Sequence, residues 1–143
     1  MNLISFAKAV VTNPAFISKD ITGDGKAETF CNWGMRLFAE ALFGYSGFND
    51  LSANNIHAKV KADGWKQVDG ATAAKLAEKT MVISAQTNPT GSGHVALILP
   101  LPLVASGKWG KSVPQCANVG RTNGIMGVNH AFATEPEYFV KPD

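Results

Sequence analysis

A thiol at Cys31 and an imidazole at His94 are the side chains here that could act as nucleophile and general base, and their neighbours indicate how each is held. Cys31 follows the polar, glycine-rich stretch "DITGDGKAET" and opens the apolar run "FCNWGMRLFAEALFG". With Thr29 as N-cap and Gly44 as C-cap, the run predicts a helix of about four turns, with Phe30, Trp33, Leu37, Phe38, Ala41 and Leu42 on one broad face. Cys31 then lies in the first turn, where the helix macrodipole and free backbone amides favour thiolate over thiol. The competing reading is a small residue packed in the core.

His94 begins the aliphatic run "HVALIL", which predicts a strand. Residues 94, 96 and 98 share one face of it, and Ala96 is small enough to leave room there for a neighbouring helix end. Such a histidine could accept the proton of a thiol and return it to a leaving amine. The imidazole needs a third residue to fix its ring, and the next predicted strand, "VPQCANVG", offers Gln115 and Asn118. Their odd separation puts them on opposite faces, so only one can turn inward with His94. Asn118 is favoured because an orienting amide suits thiol hydrolysis, with Gln115 as the alternative. Cys116 shares the face of Asn118 and reads as a packed thiol.

The stretch before Cys31 also follows the first nine positions of a calcium-binding loop. Asp20, Thr22, Asp24, the Lys26 carbonyl and Glu28 fall at positions one, three, five, seven and nine, with Gly25 at six. Position twelve is Cys31, where a bidentate glutamate belongs. The alternative is a metal-free turn that shapes the approach to the helix. His57 and His130 read as surface residues, His130 beside a glycine-rich loop suited to the rim of a cleft. Trp33, Trp65 and Trp109 offer a glycan-stacking surface, with core packing the stronger reading for Trp33. "VGRTNGIMGVNHAF" lacks the strand-to-helix signature of a phosphate site.

The elements that must carry these residues change character along the chain. Apolar spacing predicts a first helix over 2–12, closed by Asn13 and Pro14, and further helices over 52–63 and 70–79. Strands are predicted at 81–86 and 93–99 as a hairpin, then at 113–119 and near "PEYFVK" at 136–141. Helices first and sheet afterwards give an α+β class, with the sheet packed on the central helix. The 143 residues, 45% hydrophobic and 17% charged, suit one domain over 1–143 with a real core. A net charge of +2 without any block of like charges points to neither nucleic acid nor membrane as partner. Lys8 splits the N-terminal apolar residues, so no signal peptide is read. Two cysteines cannot make a disulfide scaffold.

The order "ETFCNWGMRLFAEALF", "GSGHVALILP", "VPQCANVG" resembles the papain-like cell-wall hydrolases of the NlpC/P60 and CHAP superfamily. Within it, the order resembles the amidase effectors of type VI secretion and the endolysins of phages. The resemblance spans about residues 20–140 and implies a papain-like fold with N-terminal helices packed on an antiparallel sheet. It implies a bacteriolytic cysteine amidase or endopeptidase that cuts an amide bond in peptidoglycan stem peptides. Cys31 would be the nucleophile, His94 the base and Asn118 the orienting residue, with no cofactor needed for the chemistry. Some CHAP enzymes carry a calcium loop just before the cysteine, as "DITGDGKAE" would here. Without a signal peptide, such an enzyme is made in the cytoplasm and reaches the periplasm and wall by injection or phage-assisted lysis. Secretion machinery or an immunity protein would then be its partners. Two other functions stay open: a Cys-His protease or deamidase acting on protein, and a calcium-dependent binding module with Cys31 in its core.

Overall fold

A computed structural model describes residues 2–25 and 29–143. Helix α1 (Leu3–Val11) is capped by Asn2, whose side chain accepts from the Ser5 amide, and Asn13-Pro14 ends it by starting a 3-10 turn at Pro14–Phe16. Helix α2 (Cys31–Phe43) stops at Gly44, which takes the left-handed conformation at φ 62° that a side chain would disfavour. Ser52 caps α3 (Ala53–Ala62) and Asp69 caps α4 (Gly70–Leu76), each accepting from an amide three residues on.

The strands are β1 (Lys66–Val68), β2 (Val82–Gln86), β3 (His94–Ile98), β4 (Val104–Ser106), β5 (Lys111–Val113), β6 (Gln115–Asn118), β7 (Gly124–Gly127) and β8 (Glu137–Val140). A short helix α5 (Val128–Ala131) follows β7. Six strands form one antiparallel sheet in the order β1-β8-β2-β3-β6-β7, and β4 pairs with β5 separately. The class is α+β, as the change of pattern along the sequence implies. The strand expected over 113–119 is two strands, divided at Pro114, which has no amide to offer a ladder.

Alternation along the strands divides the core in two. Val95, Leu97, Leu99, Ile83 and Ala85 turn to one face and pack against α1, α2 and α3. Ala96, Ile98, Val82, Cys116 and Tyr138 turn to the other, against α4, Phe132 and the β4-β5 pair. The buried stripe of α2 is Cys31, Gly34, Met35, Phe38 and Ala39, spaced at three and four. This corrects the expected face: Trp33 and Ala41 point to solvent. A glycine is what brings the helix close, since a Cβ on Gly34 would stand 2.9 Å from Val119 Cγ2. Among the described residues no helix is long and apolar enough to cross a membrane.

Candidate active site

Cys31 is the first residue of α2 and Phe30 holds the N-cap position without a side-chain bond, so Thr29 is not the cap. The thiol is 6% exposed. Burial is the largest effect and raises the thiol pKa above the ordinary 9.0, while the nearby backbone amides of Val95, Asn32 and Cys31 pull the other way. The expected preference for thiolate is therefore reversed in the resting site. The helix terminus supplies the expected positive field, but desolvation of the anion is the larger effect.

The α2 end does not approach the His94 face through the space beside Ala96, because α2 packs on the opposite face, against Val95 and Leu97. The thiol reaches the sheet at the end of a ladder instead. β3 and β6 pair only at Leu97↔Ala117 and Ile98↔Cys116, and the Leu99 amide donates to Gln115 O. Amides of alternate residues point the same way, so that of Val95 also turns toward the β6 side, beyond the last pair. There it meets the Cys31 sulfur, one residue from His94.

His94 Nε2 lies 2.5 Å from Asn118 Oδ1. The tautomer follows from the next bond. Asn118 Nδ2 donates to Thr122 O at 2.7 Å, which turns the amide so that its oxygen faces the ring. An amide oxygen only accepts, so Nε2 carries the hydrogen and the lone pair is on Nδ1. Phe132 lies against the ring with centroids 4.8 Å apart, and burial lowers the His94 pKa below 6.5 despite the Asn118 bond. Gly120 closes the other side, where a Cβ would come within 3.0 Å of His94 Cε1. Gln115 is occupied elsewhere, its amide donating to Pro102 O at 2.9 Å.

His94 and Asn118 line a cavity of about 790 Å³, together with Arg121, Thr122 and His130. Cys31 lines a second cavity of about 310 Å³. The two share Thr29, Gly91, Ser92 and Gly93 as lining, so Cys31 and His94 open on adjoining spaces. No hydrogen bond joins them among the described residues; such contacts commonly tighten only around substrate. Asn54 of α3 fixes the shared wall: its Nδ2 donates to Asn88 O and Gly91 O, and its Oδ1 accepts from the Asn88 amide. Gly93 has no room for a side chain, since its Cβ would lie 2.3 Å from Asn54 Oδ1 and 2.6 Å from Gln86 O.

Several residues near the site carried no signal in the sequence. Asn54 reads as an ordinary polar helix residue. Asn123 ties the β6-β7 turn to the first helical region by donating to Phe16 O, while its oxygen accepts from the Gly120 amide. Only the glycines of "GSGH" and "NVG" mark these crowded places in the chain.

The remaining candidates take other roles. His57 is not a surface residue: it is 6% exposed, with Nε2 2.7 Å from Glu137 Oε1, because it shares the inner face of α3 with Ile56 and Val60. His130 is exposed and stands at the cavity rim. Cys116 is fully buried, with its pKa pushed up to about 12 by desolvation. Trp65 is core and Trp109 packs against the second cluster, but Trp33 is 60% exposed, contrary to the expected packing.

In the loop expected to bind calcium, the two Asp20 carboxylate oxygens accept from the amides of Gly23 and Gly25, both with φ near 80°. Lys26 and Glu28 lie outside the described residues, and Thr22 and Asp24 are within them. Cys31, at position twelve, turns its sulfur to the Val95 amide in the core rather than toward the loop. Among the described residues no three histidine, cysteine or acidic side chains converge as a metal cluster.

No protein-family model matches this chain, and no curated protein matches it either.

Proposed function

We propose that the chain is a cysteine amidohydrolase of papain-like type whose substrate is a peptidoglycan stem peptide. The observation that carries the thiol mechanism is the bonded series Thr122 O, Asn118 amide, His94 Nε2, which leaves a half-buried imidazole whose Nδ1 has no partner among the described residues, in a cavity adjoining the one that Cys31 lines. Cys31 attacks the amide carbonyl while His94 Nδ1 takes the thiol proton, so no charged pair has to exist in the resting site. The Cys31 backbone N–H at the helix start then faces the developing oxyanion. Imidazolium returns the proton to the departing amine, and water completes the cycle by hydrolysing the thioester.

The choice of substrate is supported by charge as well as by the sequence resemblance. Among the described residues, the cavity around His94 is lined by the Arg121 guanidinium and by no carboxylate. Stem peptides carry free carboxylates, which such a lining attracts. Acting in the wall after injection or lysis, with delivery machinery or an immunity protein as partner, belongs to the same proposal. No step is assigned to calcium, although ordering of the loop by the ion stays within the proposal.

Incubation of the chain with purified peptidoglycan, followed by mass spectrometry of the soluble products, tests the reading. New amino termini within the stem peptides are expected, at a rate unchanged by a chelator if calcium has no part in holding the loop. Intact stems together with cleavage or deamidation of added protein would move the same machinery to a protein substrate.

A further inference from the structure

The groove does not end at Cys31. The cavity that Cys31 lines shares Asn32 and Ser52 with a third one, of about 310 Å³, which Trp33, Arg36 and Asp50 also line. The three spaces thus follow one another from Arg121, past His94 and Cys31, to Trp33.

Trp33 is unusual in its exposure, because α2 has a full inward stripe and the indole lies outside it. A large flat apolar ring at 60% exposure, with polar side chains around it, is a surface that gains by being covered. Asp50 beside it has φ 61°, the sole positive value outside glycine among the described residues. The left-handed conformation is uncommon for a residue with a side chain and recurs where a particular placement is needed. Asn32 secures the wall between the two by donating to Leu51 O at 3.1 Å. Among the described residues Arg36 has only a loose, half-exposed pair with Glu40 at 3.7 Å, which leaves donors available.

We propose that this third cavity is a saccharide subsite. A sugar ring presents an apolar face of C–H bonds and a rim of hydroxyls; the indole of Trp33 covers the face, while Asp50 accepts from the rim and Arg36 donates to it. The identity of the sugar rests on the peptidoglycan reading: the glycan end of the substrate lies toward Trp33 and the carboxylates of the stem toward Arg121, with the scissile amide over Cys31 between them. Arg36 and Asp50 together give no single-sign field, which separates this end of the groove from the cationic end around Arg121.

Titration of the Cys31→Ser chain with an oligomer of N-acetylglucosamine, followed by tryptophan fluorescence and calorimetry, tests the subsite without turnover. Saturable binding is expected, with affinity reduced about tenfold or more in Trp33→Ala and largely kept in Trp33→Phe. In the active chain, the preference for a muramyl peptide over the same peptide without sugar should fall about tenfold in Trp33→Ala, through KM. Absence of saccharide binding, or binding equal with and without Trp33, would overturn the subsite even if peptidoglycan is cleaved. Trp33-dependent binding in a chain that leaves peptidoglycan intact would keep the subsite and remove the hydrolase reading.

Discussion

Replacement of Cys31 by alanine is expected to stop release of stem peptides from peptidoglycan, the rate falling by about 10⁴-fold or more, since the proposed covalent intermediate forms on its sulfur. Cys116 offers no substitute. It is fully buried on the opposite face of the sheet, with a pKa of about 12, and has neither the exposure nor the ionisation to attack a substrate. The fold should survive, because Cys31 contributes one small side chain to a large cluster. The unfolding midpoint is expected to move by less than about 5 °C, read by circular dichroism, so lost activity and lost structure are separable. Activity kept at the parent rate would place the nucleophile elsewhere.

His94→Ala should lower kcat/KM by about 10²- to 10⁴-fold, the usual worth of a positioned base. Asn118→Ala should cost less, because the imidazole remains but loses its orienting acceptor. The pH profile gives a second readout. Burial holds the His94 pKa below 6.5, so the neutral base is present through the neutral range and the acid limb of kcat/KM should lie below pH 6.5. The sign for stability is the same. The lowered native pKa makes the neutral ring stabilising above about pH 6.5, and this contribution is lost as pH falls through the native value. In His94→Ala both the acid limb and this part of the stability change should disappear. An acid limb unaltered by the substitution would assign it to another group.

Much of this was legible in the chain because each signal was local. Thirteen residues with apolar spacing and a glycine stop gave α2 within two residues, and the aliphatic runs gave β2 and β3. The parity of Gln115 and Asn118 was enough to separate them by face, and the structure puts Asn118 against His94 while Gln115 binds Pro102 O. What the sequence hid was tertiary. The phase of α2 was misread because its closest contact is made by Gly34, which has no hydrophobic signal, while Trp33 has a strong one and faces water. His57 was misread because its partner, Glu137, lies 80 residues away. The thiol's protonation state was misread because a helix start can be recognised locally, whereas the burial that outweighs it depends on the whole sheet.

The central claim is that Cys31 and His94 act as one unit across the end of the β3-β6 ladder. Its most direct test is the rate of carboxamidomethylation of Cys31 as a function of pH, read by peptide mapping in the parent and in His94→Ala, with Cys116 as the internal unreactive thiol. With a raised thiol pKa and an adjacent neutral base, the parent should react at pH 7 about tenfold or more faster than His94→Ala, with an inflection below pH 6.5 as His94 loses its proton. Equal rates in the two chains, rising only as pH passes the ordinary thiol value of 9.0, would contradict the account and make Cys31 a packed residue of the core.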